Sequence, residues 1–135
     1  MQPEDPVVQR MKAAASKAAE RAYCPYSRFR VGAAVLTEDG GIFSGCNVEN
    51  ASLGLTLCAE RNAIVQAVAR GHRRIRAVVI VTDADPPTPP CGACLQVMRE
   101  FGPRAQVFSF GRGGQVLKAT LPELLPHPFG SGNLP

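Results

Sequence analysis

The chain has 135 residues, of which 45% are hydrophobic and 19% are charged. A chain of this length forms one domain with a sizeable core, and this composition argues against intrinsic disorder. The longest apolar runs, such as residues 77–81, are far too short to cross a bilayer, and the N-terminus carries no secretory signal pattern. We therefore expect a single domain over residues 1–135, located in the cytoplasm and without a membrane partner.

The formal net charge is +4, and much of the excess lies in four arginines that follow one another closely: Arg70, Arg73, Arg74 and Arg76. A basic cluster can contact nucleic acid, or it can form the solvated end of a helix and the loop after it. No aromatic residues alternate with these arginines to stack bases. The sequence favours the solvated helix end and predicts no nucleic-acid partner.

The first half of the chain predicts a helix followed by a hairpin. Apolar residues at helical spacing indicate an amphipathic helix over residues 7–23, which Pro25 ends. Short apolar runs at 31–36 and 42–46 flank a glycine-containing turn and predict paired strands. The polar segment 47–56 is expected to be a loop.

The second half alternates helical and strand patterns. Helical spacing covers residues 58–69 and 91–101, and a final helical turn is expected at 122–125. Strands are predicted at 77–81, 106–110 and 116–119, with a proline-rich loop at 83–90. Helices that alternate with strands predict a layered α/β domain around a mixed sheet.

Three of the five cysteines stand at the starts of two predicted helices. An odd cysteine count with a close Cys-x-x-Cys pair is more typical of metal or redox chemistry than of a disulfide framework. Cys91 and Cys94 are three residues apart and share one helix face, and Cys58 can supply a third thiolate. Three protein ligands leave the fourth tetrahedral position open, as in catalytic zinc sites.

Glu60 follows Cys58 by two residues. Side chains at this spacing do not share a face of a regular helix. If Cys58 occupies the helix cap, however, both side chains can reach one cavity. A carboxylate beside an open metal position can take a proton from water and return it to a leaving amine.

Each of these features also has a simpler interpretation. Cys58 alone is typical of a small core residue, and Glu60 alone of a charge that stabilises a helix start. Cys91 and Cys94 alone could be a redox pair or half of a structural zinc site. A non-catalytic, zinc-stabilised RNA-binding module would need a fourth ligand, for which Cys46 is the candidate. Otherwise Cys46 and Cys24 are expected to pack in the core.

Five segments together resemble the small, zinc-dependent cytidine deaminases that act on free nucleosides. They are residues 23–34 (YCPYSRFRVGAA), 45–51 (GCNVENA), 58–61 (CAER), 90–94 (PCGAC) and 124–130 (LLPHPFG). Polynucleotide and tRNA deaminases usually have histidine at the position of Cys58 and lack the Asn-x-Glu loop.

The resemblance implies a three-layer α/β/α fold with a five-stranded mixed sheet and one Zn²⁺ per subunit. It also implies hydrolytic deamination of cytidine and deoxycytidine to uridine and deoxyuridine in pyrimidine salvage. The expected assembly is a homotetramer with shared active sites. The nearest alternative is a related deaminase for another cytosine-like nucleoside or an aminonucleoside antibiotic.

The resemblance also assigns roles to individual residues. Cys58, Cys91 and Cys94 would hold zinc, and Glu60 would move protons and contact the ring nitrogen. The residues that would bind substrate are Phe29 near the pyrimidine, Asn47 and Glu49 at the ribose hydroxyls, the backbone of Ala59 and the carbonyl of Pro90 at the base edge, and Phe129 from a neighbouring subunit. Phe129 lies in a C-terminal tail, about residues 127–135, that would reach the subunit interface. Without the resemblance, Asn47 would be assigned to a cap or turn, and both phenylalanines to packing.

Arg61 would donate hydrogen bonds to the ligand sulfurs and reduce their negative charge. Two positions depart from the family pattern. Leu95 stands where family members commonly have arginine, so charge compensation would depend more heavily on Arg61. Leu53 stands where a tyrosine is common, which removes a hydroxyl from the substrate loop.

Overall fold

The computed structural model describes residues 1–135. Its helices are α1 (Pro6–Ala19), α2 (Ala59–Ala69), α3 (Gly92–Phe101) and α4 (Leu121–Leu124). Its strands are β1 (Val31–Thr37), β2 (Ile42–Cys46), β3 (Ile75–Thr82), β4 (Gln106–Phe110) and β5 (Val116–Thr120). Short 3₁₀ turns occur at Leu53–Leu55 and Ser131–Asn133. No helix has the length and the apolar run that a membrane crossing would need.

The five strands form one mixed sheet in the order β2-β1-β3-β4-β5. Only β3 and β4 are parallel, and α3 lies between them in the chain. The other neighbours are antiparallel. The carboxyl ends of β2, β3 and β4 therefore point to the same edge of the sheet. We call this edge the carboxyl edge.

The sheet separates two apolar layers, because successive side chains of a strand point to opposite faces. On one face, α1 packs through Val8, Met11 and Ala15 against a cluster that includes Val79 and Phe108. On the other face, α2, α3 and α4 pack against alternate residues of the same strands, including Val78, Ile80 and Val107. The arrangement confirms the predicted three-layer α/β/α fold with a five-stranded mixed sheet.

Two glycines allow helices to approach the sheet closely. A Cβ at Gly32 would lie 1.8 Å from the backbone oxygen of Ala15 in α1. A Cβ at Gly45 would lie 2.7 Å from the backbone nitrogen of Ala63 in α2. Each helix therefore rests directly on the backbone of a strand, which fixes the height of α2 and its first residues above β2.

The first helix is shorter than the sequence predicts. It ends at Ala19, whereas helical spacing of apolar residues extends to residue 23. Tyr23 instead forms an isolated parallel bridge with Val48, and its backbone N–H donates to the Asn47 carbonyl. This pairing is long-range, so the local periodicity does not reveal it. The strands and the remaining helices begin and end within two residues of their predicted bounds.

Candidate metal centre and active-site cleft

Two helices begin at the carboxyl edge, and a cysteine caps each of them. Cys58 is the N-cap of α2 and Cys91 is the N-cap of α3, both with extended backbone angles. Cys94 lies in the first turn of α3, where its backbone N–H donates to the Cys91 sulfur at 3.4 Å. A helix N-terminus, with its unpaired N–H groups and its dipole, is a favourable place for a negatively charged ligand atom.

The three sulfurs form a cluster suited to a metal ion. The Sγ atoms of Cys58, Cys91 and Cys94 all lie within 4.8 Å of one another, and those of Cys58 and Cys91 are 3.8 Å apart. Tetrahedral zinc, with Zn–S bonds of about 2.3 Å, separates its sulfurs by about 3.8 Å. The donor type and the spacing both fit zinc, and the cluster supplies three of four tetrahedral ligands.

Charge is distributed unevenly within the cluster. A hydrogen bond from Cys94, followed by one from Arg61, lowers the pKa of the Cys58 thiol from 9.0 to about 5. The neighbouring Cys58 and burial both raise the pKa of Cys94.

Arg61 lies beside the sulfurs, on the first turn of α2. Its Nη2 donates to the Cys58 Sγ at 3.4 Å and to the Thr56 carbonyl at 3.3 Å. The bond to Cys58 raises the pKa of the guanidinium. Its Nε is buried and has no hydrogen-bond partner. Arg61 is therefore a fixed positive charge in contact with a sulfur, in the position where it can offset thiolate charge.

Glu60 is only 5% exposed, an unusual environment for a carboxylate. Burial is the main reason that its pKa is raised. It has no basic residue as an ion-pair partner, since the only ion pair in the chain joins His72 and Asp39. A buried carboxyl group with a raised pKa is suited both to accept and to donate a proton.

A cleft of about 220 Å³ opens onto this group of residues. It is lined by Ser27, Phe29, Val31, Asn47, Glu49, Thr56, Cys58, Ala59, Glu60, Ile80, Thr88, Pro89 and Cys91. The cleft therefore brings two of the cysteines and Glu60 together with four of the other predicted residues, namely Phe29, Asn47, Glu49 and Ala59. Pro90 itself does not line the cleft, although its neighbours Pro89 and Cys91 do.

Asn47 and Glu49 already have partners in the chain. The Asn47 side chain donates to the Phe29 carbonyl at 2.7 Å and accepts from the Val31 N–H at 2.9 Å. Glu49 accepts from the backbone N–H groups of Tyr26 and Ser27 and from the Ser27 hydroxyl, which lowers its pKa. Both side chains thus hold residues 26–31 in place. One N–H of Asn47 and a lone pair of Glu49 are left for a ligand.

Phe129 does not line the cleft of its own chain. Its side chain is 56% exposed, and its backbone carbonyl accepts a hydrogen bond from Gln96 at 2.8 Å. The tail is thus attached to α3 while its phenylalanine points away from the core.

The other residues singled out from the sequence lie outside the cluster. Cys24 is buried and Cys46 is half-buried, and neither sulfur belongs to the metal group. Leu95, on α3, packs in the core together with residues of α2. Leu53 begins an exposed 3₁₀ turn.

Sequence reasoning missed several cleft residues. Thr88 and Pro89 belong to the proline-rich loop, and Ile80 belongs to an apolar run that also fits an ordinary core strand. Ser27 and Thr56 lie in irregular segments without a spacing pattern. The identity of these residues gives no signal, because only the tertiary arrangement brings them to the cysteines.

Comparison with known proteins agrees with this geometry. A family model described as the cytidine and deoxycytidylate deaminase zinc-binding region matches residues 6–110. The chain therefore belongs to the zinc-binding cytidine and deoxycytidylate deaminase family. This membership confirms the resemblance predicted from the sequence. Together with the three clustered sulfurs, it also supports the prediction that zinc is the cofactor.

Individual relatives match over nearly the whole chain. The cytidine deaminase of Halalkalibacterium halodurans is 49% identical over 116 residues, which are 85% of this chain and 88% of the relative. That of Sporosarcina psychrophila is 44% identical over 128 residues, 94% of each chain. The crystal structure of cytidine deaminase from Burkholderia pseudomallei superposes with a TM-score of 0.86 at 47% identity, covering 90% of this chain and 98% of that one.

Proposed function

We propose that this chain hydrolyses cytidine and deoxycytidine to uridine and deoxyuridine, with release of ammonia. The observation that carries the proposal is the buried Glu60 beside three clustered cysteine sulfurs, in a cleft of about 220 Å³. Ligand clefts of this kind are small and apolar, with a few placed polar groups. The relatives that match nearly the full length of the chain are named cytidine deaminases, which supports the choice of substrate.

Cys58, Cys91 and Cys94 would hold one Zn²⁺ per subunit. When bound there, the metal supplies a Lewis acid that activates water for attack at C4 of the cytosine ring. Arg61 would withdraw charge from the Cys58 sulfur through the bond at 3.4 Å. Because Leu95 stands where family members commonly have arginine, Arg61 would be the cation that compensates the thiolates.

Glu60 would carry the protons of the reaction. Its carboxylate takes one proton from the attacking water and passes it to the ring nitrogen. The second proton goes to the exocyclic amine, the C4–N bond breaks, and ammonia leaves. Water thus supplies the oxygen of the product and both protons that are transferred. The raised pKa of Glu60 suits a group that must hold a proton between these steps.

The remaining cleft residues would orient the nucleoside. Phe29 would pack near the pyrimidine, and backbone groups at Ala59 and in the segment before Cys91 would bind the base edge. Asn47 and Glu49 would bind the ribose with the one N–H and the lone pair that residues 26–31 leave unused. Their hold on these residues makes the ribose subsite rigid before substrate arrives.

We also propose that residues 1–135 form one catalytic domain in a homotetramer with shared active sites. The exposed Phe129, in the tail 127–135, would enter the cleft of a neighbouring subunit and stack on the base. The exposed apolar residues Leu53, Leu55 and Leu57 lie in the loop next to the cleft and would be covered by that neighbour. A reducing cytoplasm would keep the three cysteines available for metal.

The test is a competition experiment with zinc-loaded protein. Cytidine, deoxycytidine, 5-methylcytidine and a cytosine-containing aminonucleoside antibiotic are offered together at equal concentration, and each product is quantified. Preferential formation of uridine and deoxyuridine supports the proposal. Preferential conversion of another cytosine-like compound would show that this compound, and not cytidine, is the substrate. If none of the four compounds is converted, the proposed reaction class is wrong.

A further inference from the structure

The inner face of β4 contains one buried hydroxyl group in an otherwise apolar environment. Val107 and Ser109 are alternate residues of β4 and point to the face that carries α2 and α3. Ser109 is 0% exposed, and its register partner on β3 is Ile80, which lines the cleft. A fully buried polar side chain needs a hydrogen-bond partner.

That partner belongs to the cleft wall. The Ser109 hydroxyl donates to the Thr88 carbonyl at 2.7 Å. On the adjacent strand, the Thr82 hydroxyl lies 3.4 Å from the Thr88 hydroxyl and accepts from the Ala84 N–H at 3.2 Å. The ends of β3 and β4 thus both contact the segment that precedes Cys91.

Residues 85–90, which we call the proline strap, have few other attachments. Four of its six residues are proline, which has no N–H to donate. No backbone–backbone hydrogen bond involves any residue of the strap. Ser109 therefore supplies the only donor to a strap carbonyl. Because Thr88 and Pro89 line the cleft, the height of the strap over the sheet sets the width of the cleft on that side.

We propose that Ser109 is a positioning residue for substrate binding, acting through the proline strap. This inference rests on the proposed deamination of cytidine. Ser109 makes no hydrogen bond to the cysteines or to Glu60, so it affects how well the nucleoside is held and leaves the proton transfers unchanged. Loss of its hydroxyl raises the KM for cytidine and leaves kcat near its native value.

The experiment compares Ser109→Ala with the native zinc-loaded enzyme. We expect KM to rise roughly tenfold, the effect of losing the one donor that holds the partly buried Thr88 carbonyl, with kcat changed less than about twofold. Ser109→Thr, which keeps the hydroxyl, recovers most of the affinity. In a Glu60→Gln background, where turnover is minimal, calorimetry should show the same loss in cytidine affinity.

Thr37→Val is the matched control. Thr37 is a buried hydroxyl at the opposite edge of the sheet, where it bonds the N–H of Gly41. For Thr37→Val we expect a lower free energy of unfolding and an unchanged KM for cytidine. The inference is overturned if Ser109→Ala leaves the KM unchanged, or if Thr37→Val raises the KM as much as Ser109→Ala does. In either case, cytidine conversion by the native enzyme would still support the proposed function.

If Ser109→Ala does not fold, the KM of Thr82→Val tests the inference instead. This variant removes the contact between the Thr82 and Thr88 hydroxyls, which is the second contact to the proline strap. A KM raised in the same direction supports the inference, and an unchanged KM contradicts it. Absence of cytidine conversion by the native protein would overturn the proposed function itself, and this inference with it.

Discussion

At the scale of single residues, an acidic and a basic neighbour in α2 lie beside the same sulfur cluster. Glu60 is buried and has no ion-pair partner, whereas Arg61 bonds the Cys58 sulfur directly. A structural zinc site has no use for a buried carboxylate beside it. In the proposed reaction the pair divides the chemistry, with Glu60 available for proton transfer and Arg61 for charge compensation.

Glu60→Gln is predicted to retain zinc and to lose about two to four orders of magnitude in kcat. The amide keeps the shape of the side chain but cannot accept a proton. Steady-state rates and metal content measured on the same preparation check this expectation, with Glu20→Gln as a control at an exposed carboxylate. Activity within tenfold of the native enzyme would remove Glu60 from the mechanism.

Arg61→Gln is predicted to release zinc at a higher pH than the native protein. Metal binding requires thiolates, and Arg61 adds to the effect of Cys94 in lowering the pKa of Cys58. Without the guanidinium that pKa rises, so protons displace the metal earlier as the pH falls. Acid titration with a zinc indicator measures the midpoint, and Arg70→Gln at the far end of α2 is the control. Coincident midpoints for Arg61→Gln and the native protein would show that Arg61 does not support the thiolates.

At the scale of secondary-structure elements, the site depends on where α2 and α3 begin. Both N-terminal positions could be predicted, because Pro90, the Cys-x-x-Cys spacing and the helical periodicity are local signals. The end of α1 was not predicted, because it depends on the long-range bridge between Tyr23 and Val48. The polar contacts of Ser109 and Asn47 also escape sequence reasoning, since their partners are fixed only by register and loop packing.

Gly45→Ala is predicted to weaken zinc binding as well as stability. The new Cβ would contact the backbone of α2 at 2.7 Å and push Cys58 and Glu60 away from α3. Overpacking of this kind costs about 1–3 kcal/mol in the free energy of unfolding. Chemical denaturation and chelator competition measure the two effects.

Gly32→Ala provides the matched comparison, because it pushes against α1 on the opposite face. It should destabilise the protein without a specific loss of zinc affinity. Equal losses of zinc affinity in the two variants would mean that the height of α2 above the sheet does not control the metal centre.

At the scale of the whole molecule, the cleft is bordered by apolar residues that the single chain leaves exposed. Leu53 and Leu55 project from the loop beside the cleft, and Phe129 projects from the tail. Isolated exposed apolar residues are ordinary, but Leu53 and Leu55 stand together in the loop beside a ligand cleft. Their exposure and that of Phe129 fit the proposed subunit interface.

Phe129→Ala is predicted to raise the KM for cytidine and to weaken assembly. The reason is that one side chain would serve both the interface and a neighbour's base. Leu134→Ala, at another exposed apolar residue of the same tail, is the control. Kinetics and sedimentation measure the two effects. A native KM together with an intact tetramer in Phe129→Ala would contradict the shared-site arrangement.

The most direct test of the central claim is a time course with cytidine that follows uridine and ammonia together. Protein loaded with one zinc per chain is compared with protein stripped by a chelator and with stripped protein to which zinc is restored. The account predicts equal amounts of uridine and ammonia, loss of activity on stripping, and recovery with zinc. Absence of uridine formation by the zinc-loaded protein would contradict it.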